Sequence, residues 1–312
     1  IQENNQNGVG ECGLFKGLSA DDRPDYEEKL QWLCNNINLE KSLLLSELFE
    51  FPSIQFGLEQ ALLSLKSDDK FMLFPSKFTE GKGTIPINGL IWMGTADFMK
   101  QQIKEKLAAG FTTLKLKIGA IDFEKEIELL RSIRKEFTSE YIELRVDANG
   151  AFTPENALEK LKRLADFDLH SIEQPIRAGQ WREMASLCEK TPLPIALDEE
   201  LIGVFVRKNK KKLIETINPQ YIILKPSLIG GFQGSDTWID LAKKYNAGWW
   251  ITSALESNVG LSAISQYTFT KSSKLPQGLG TGSLYTNNID SPLEVSNGAL
   301  HYGQSKGWNF NF

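Results

Sequence analysis

From about residue 85 onward, short apolar runs of strand character alternate with stretches of helical periodicity. The runs cover 85–93, 113–118, 142–147, 170–174, 193–198, 221–225 and 249–253, with a last one near 276–282, which predicts eight strands. The intervening stretches carry helix punctuation. Thr153, followed by Pro154 and Glu155, reads as an N-cap with proline in the first turn, opening a helix to about Ala165. A helix over 97–109 ends at Gly110, a residue suited to the position just past a helix. Over 123–137, Phe123, Ile127, Leu130 and Phe137 fall near one stripe, as a helix lying on a sheet requires. Strand, helix, strand at this pace predicts parallel βα units.

The polar residues that end successive runs, Lys117, Asp147, Glu173, Asp198, Lys225 and Ser253, recur every 25 to 30 residues. A βα unit of an eight-stranded barrel takes roughly 31. An open, doubly wound sheet has similar spacing, but only a barrel brings all its strand ends to one mouth. Residues 1–84 read differently, with helices over 25–36 and 54–66 after a tight glycine-rich turn at 8–13. This predicts an α/β chain: a small α+β cap over 1–84 and a barrel over 85–312 whose C-terminal segment returns toward the cap. The chain opens at Ile1, and the first strands of the cap are expected to precede it.

Charge narrows the function. The 35 Lys and Arg against 40 Asp and Glu leave a net charge of -5, with no basic field for a nucleic acid. No apolar run approaches the roughly 18 residues that cross a bilayer, and no leader pattern opens the chain, so a soluble, cytoplasmic protein without membrane contact is expected. Cys12, Cys34 and Cys188 are odd in number and widely spaced, which predicts reduced thiols. His170 and His301 are the only histidines and have no partner at metal-ligand spacing, which argues against a zinc site or a Ser-His-Asp relay. The basic run 208–212 reads as the solvated face of a helix. No obligatory protein partner is inferred.

Strand ends inside a barrel ordinarily carry apolar side chains, yet five in succession here carry Lys, Asp, Glu, Asp and Lys. Burying an unpaired charge costs several kcal/mol, so the five call for a collective reason. Any one carboxylate alone would usually cap a helix or pair with a surface arginine. Asp147, Glu173 and Asp198 together form an all-oxygen set suited to Mg2+, with Mn2+ as a substitute. Lys115 and Lys117 flank Leu116, and strand alternation puts both amines on one side. Lys225 stands four units further on, half a turn round a ring of eight, so it faces Lys117 across the mouth. Such a site suits a small-molecule carboxylate. The metal stabilises the ene-diolate, and a neutral amine takes the neighbouring C–H proton.

Five segments carry a family likeness: Lys115-Leu-Lys117, Arg145-Val-Asp147-Ala-Asn149, Ile172-Glu173-Gln-Pro, Ala196-Leu-Asp198-Glu199 and Leu224-Lys225-Pro. Together they resemble the muconate-lactonizing subgroup of the enolase superfamily, for which a lysine or histidine base with magnesium is already known chemistry. The resemblance spans Gly8 to about Ile289 and implies a modified TIM barrel, (β/α)7β, with an N-terminal cap. It implies Lys117 as the base, Lys225 as the opposed cation, and Asp147, Glu173 and Asp198 as metal ligands. Lys115, Asn149 and Ser253 would touch the substrate. Gly8-Val-Gly-Glu11-Cys12, residues 85–93, Ser253-Ala-Leu-Glu-Ser-Asn258 and Gly278 to Asn287 resemble the dehydratases of the subgroup. That implies syn elimination of water from 2-succinyl-6-hydroxy-2,4-cyclohexadiene-1-carboxylate in menaquinone biosynthesis. Racemisation of N-succinylamino acids or another reaction of the subgroup, such as muconate cycloisomerisation, is the alternative. Dipeptide epimerisation is disfavoured, because Gly280-Thr-Gly-Ser-Leu lacks an Asp-x-Asp pair. A non-catalytic metabolite-binding barrel would have no need of the five charged positions.

Overall fold

The computed structural model describes residues 1–92 and 94–309. A two-residue hairpin, β1 (Gln2–Glu3) and β2 (Gln6–Asn7), precedes α1 (Tyr26–Asn36), α2 (Lys41–Glu47) and α3 (Pro52–Ser64). These helices close on Leu33, Leu44, Leu48, Phe51, Ile54 and Leu58, a small core of their own. The glycines at 8–13 do not form the tight turn expected, since Gly8, Gly10 and Gly13 all keep ordinary φ. They serve close approach instead: a Cβ at Gly10 would lie 2.0 Å from the carbonyl oxygen of Gly57 in α3. Glu11 then ties the segment to the barrel by accepting hydrogen bonds from the Ser257 and Gly260 amides at 2.8 and 2.7 Å.

The chain continues with β3 (Thr84–Pro86) and then the barrel elements β4 (Gly89–Ile91), α4 (Ala96–Ala108), β5 (Thr113–Lys117), α5 (Phe123–Glu136), β6 (Glu143–Asp147), α6 (Pro154–Ala165), β7 (Ser171–Glu173), α7 (Trp181–Lys190) and β8 (Ile195–Leu197). It continues through α8 (Arg207–Ile217), β9 (Tyr221–Leu224), α9 (Pro226–Ile229), α10 (Gly231–Lys244), β10 (Gly248–Ile251) and α11 (Asn258–Thr270) to the hairpin β11 (Leu293–Ser296) and β12 (Ala299–Tyr302). Strands β4 to β10 form one curled parallel sheet in chain order. The outward residues Leu114, Leu116, Leu144 and Val146 are fully buried under the helices, as two-residue alternation demands. The α6 N-terminus carries the capping box of Thr153 and Asn156, and Gly110 after α4 takes the left-handed conformation.

Two expected strands differ. The run 276–282 contributes only bridges: the Gly278 amide donates to Ile251 at 2.8 Å and the Gln277 carbonyl accepts from the Asn88 amide at 2.9 Å, joining β10 to the residue that precedes β4. A Cβ at Gly278 would lie 2.1 Å from Thr252 Oγ1, so the residue that closes the ring has no room for a strand-forming side chain. The run 85–93 divides. Thr84–Pro86 pairs antiparallel with β12, only Gly89–Ile91 joins the barrel, and Met93 lies outside the described residues. The run 208–212 is also only partly as expected. Lys208, Lys211 and Lys212 are exposed, but Lys210 is 2% exposed. Helical spacing puts it on the buried stripe of Leu213, Ile214 and Ile217. The architecture is a modified TIM barrel with an N-terminal cap.

Candidate active site

Strand register stacks the charged residues in layers. Lys117, Asp147 and Glu173 pair at one level across β5, β6 and β7, and Lys115, Arg145 and Ser171 share the level beneath. Asp198 follows β8 and Lys225 follows β9 at the same rim. All three acids are buried. Lys115 Nζ lies 2.9 Å from Asp147 Oδ2 and 2.5 Å from Glu173 Oε2. Lys117 Nζ donates to the same Asp147 oxygen at 2.5 Å and to Asn149 Oδ1 at 2.7 Å. Lys225 pairs with Asp198. The structure thus brings together all seven of these predicted residues.

Ser253 borders them, but its hydroxyl donates to Glu256 Oε2 at 2.6 Å. The same carboxyl accepts from the Ser227 hydroxyl at 2.5 Å and the Ala254 amide at 2.8 Å. The Ser253 hydroxyl therefore has a protein partner already. A cavity of about 550 Å3 opens over the site, lined at its floor by Lys115, Lys117, Asn149, Lys225 and Ser253. Phe15 and Leu18 from the N-terminal segment, with Leu255 and Leu284, form apolar walls. That size and mixture suit a small organic ligand with an anionic group.

Electrostatics follow from this crowding. Burial opposes ionisation of Asp147, but Lys115 and Lys117 outweigh it and hold its carboxyl well below the usual range. Burial and the neighbouring Asp147 push Glu173 up, its contact with Lys115 notwithstanding. Burial would lower Lys115 and Lys225, yet the acids around them raise both.

Two residues of the site carried no role in the sequence reading. Glu199 Oε1 accepts from Asn149 Nδ2 at 2.8 Å, and burial, then Asp198, pushes this carboxyl up. Gln174 Oε1 accepts from the Asp198 amide at 3.1 Å while its Nε2 donates to Glu200 at 3.0 Å, fastening the end of β7 to that of β8. The available signal was position: both stand directly after a charged strand-end residue.

Among the described residues, no three His, Cys, Asp or Glu side chains converge ready to hold a metal ion. The acids meet through ammonium bridges, with Lys115 between Asp147 and Glu173. As a donor set they nonetheless fit a hard divalent ion. All are oxygens, they end three adjacent strands, and the buried Glu173 Oε1 has no hydrogen-bond partner.

Residues 98–311 match the family described as enolase C-terminal domain-like. Over an alignment 324 positions long, the chain is 48% identical to the o-succinylbenzoate synthase of Desulfotalea psychrophila, covering 94% of this chain and 88% of that protein. The crystal structure of MenC from the same organism superposes with a TM-score of 0.89 at 46% identity, over 96% of this chain and 92% of that one. The muconate lactonizing enzyme from Pseudomonas putida shares the fold, with a TM-score of 0.79 at 20% identity over 96% and 87% of the two chains. Members of the enolase superfamily work with a divalent metal. With a family match over more than half its length and so near a relative along almost all of it, the chain belongs to the enolase C-terminal domain-like family.

Proposed function

We propose that this protein is an o-succinylbenzoate synthase, a lyase that dehydrates 2-succinyl-6-hydroxy-2,4-cyclohexadiene-1-carboxylate to 2-succinylbenzoate in menaquinone biosynthesis. The observation that carries the reading is the 48% identity to such a synthase along 94% of the chain. Lys117, on β5, abstracts the proton beside the substrate carboxylate and returns it to the departing hydroxyl on the same face, a syn elimination in which one amine serves as base and then acid. Its hydrogen bond to Asn149 fixes where the amine points. Lys225, at the end of β9, keeps its charge against the opposite face of the ene-diolate. Lys115 and Ser253, which line the floor, contact the substrate.

Asp147, Glu173 and Asp198 would hold the divalent ion, Mg2+ in our reading with Mn2+ as a substitute, which supplies Lewis-acid stabilisation of negative charge on the substrate carboxylate. The orphaned Glu173 oxygen supports that assignment. We read residues 1–84 as the cap and 85–312 as the barrel. No helix among the described residues is long and apolar enough to cross a membrane, which accords with the cytoplasmic location we propose.

Because the two lysines stand on strands separated by three others, racemisation of N-succinylamino acids is the second reading. Loss of the cyclohexadiene absorbance, measured beside deuterium exchange on N-succinylamino acids, separates the two. Exchange without dehydration would overturn the first.

A further inference from the structure

Lys225 opens α9, a helix of only four residues that ends at Gly230 with φ 97° before Gly231, with φ 67°, starts α10. A single turn has too few internal hydrogen bonds to hold its own shape, so this elbow depends on outside contacts. From α8, Lys210 Nζ donates to the Gly234 carbonyl at 3.1 Å and the Ile229 carbonyl at 3.4 Å. From α3, Gln55 Nε2 donates to the Gly230 carbonyl at 2.8 Å, and Glu59 Oε2 accepts from the Phe232 amide at 2.5 Å. The elbow is clamped from both sides. It is tight as well, since a Cβ on Gly234 would sit 2.2 Å from the Ile229 oxygen.

We propose that Lys210 is a positioning residue for Lys225, holding from behind the short helix that Lys225 opens; this rests on the reading of Lys225 given above. Lys210 is 2% exposed, has no carboxylate within ion-pair range among the described residues, and lies 5.1 Å from the Trp238 ring centre. Burying an ammonium without a counter-ion is costly, and an apolar residue would complete the stripe of Leu213, Ile214 and Ile217 at lower cost. What an apolar residue cannot supply is the pair of N–H donors that grips the two carbonyls. Burial, with Arg207 nearby, pushes the amine down to about 7, so the group is readily neutral while its N–H donors stay on the two carbonyls.

The test is Lys210→Met, which keeps the length and removes the charge, studied in the magnesium-loaded enzyme. The expected result is a fall in kcat of about tenfold to a hundredfold with KM nearly unchanged, the pattern of a displaced group that acts in the transition state. A pulse of acetic anhydride, read by peptide mass spectrometry, should label Lys225 severalfold faster relative to Lys115 than in the parent enzyme. Lys210→Arg should restore most of both. An unchanged labelling ratio overturns the proposal, as does an arginine variant no better than the methionine one. Faster labelling with unchanged turnover supports the clamp and counts instead against the role given to Lys225. Should Lys210→Met fail to fold, Lys210→Gln, whose shorter side chain withdraws the donor from the two carbonyls while keeping a polar end, is read in the same way.

Discussion

Lys115 and Glu173 meet at 2.5 Å beneath the cavity, and the same ammonium reaches Asp147 at 2.9 Å, so one cation joins two acids on neighbouring strands. Removing it leaves Asp147 with Lys117 alone and takes from the buried Glu173 its ammonium partner, a loss that costs about 3 to 5 kcal/mol when one partner of a buried pair goes. Lys115→Met should therefore melt well below the parent protein in chelator. Magnesium should recover more of that loss in the variant than it adds to the parent. Equal magnesium-induced shifts in melting temperature would show that ammonium and metal do not compete for the same acids.

The two kinds of strand-end residue should separate by experiment. Lys117→Ala removes the base and is expected to cut turnover by about 10^2 to 10^4 while magnesium still binds. Asp198→Asn removes a ligand and should lose the metal along with activity. Calorimetric titration with magnesium, set beside the dehydration assay, checks both. A lysine variant that loses the metal would contradict the division of labour.

Glu256 gives a pH prediction. Burial pushes its carboxyl up, against the hydrogen bonds from Ser227 and Ser253. A raised carboxyl keeps its proton in the native state after the unfolded chain has lost it, so its contribution is full below roughly pH 4 and is lost as pH rises through the native value. Glu256→Gln removes this titration. The melting temperature of the variant minus that of the parent should grow more positive from pH 4 upward. A difference that stays flat or falls, measured by scanning calorimetry, would refute the assignment.

Much of this was legible in local pattern because the forces behind it are local. Alternation around Leu116 predicts that Lys115 and Lys117 share a side, and the even spacing from Lys117 to Lys225 places five charges at one rim; both hold in the structure. Long-range pairing was not legible. Ile85 and Pro86 look like the start of a barrel strand until β12, more than 200 residues later, claims them. The glycines of 8–13 resemble a turn because glycine's lack of a Cβ serves close approach as readily as it serves a positive φ. Lys210 looked solvated because its neighbours Lys208, Lys211 and Lys212 are, although its spacing to Leu213 and Ile217 already placed it on the apolar stripe. Periodicity does not mark Gln174 and Glu199, because their roles consist of hydrogen bonds between strand ends.

The N-terminal segment offers a test of how the cap shapes the cavity. Gly10 faces backbone rather than a side chain: its added Cβ would stand 2.0 Å from the Gly57 oxygen, and no rotamer change can relieve that contact. Helix α3 cannot retreat, because Gln55 and Glu59 bind it to the elbow of α9 and α10. The strain of Gly10→Ala must therefore fall on the segment itself, at about 1 to 3 kcal/mol, the usual range for overpacking. That segment next carries Glu11, which anchors it to α11, and then Phe15 and Leu18, which wall the cavity. Displacing those walls while leaving the lysines and acids in place should raise KM more than it lowers kcat, alongside a lower melting temperature. Gly307→Ala, at a position with ordinary φ and no neighbour of the new methyl within 4 Å among the described residues, should leave both unchanged. A Gly10→Ala enzyme with the parent KM would show that the segment's position does not shape the substrate pocket.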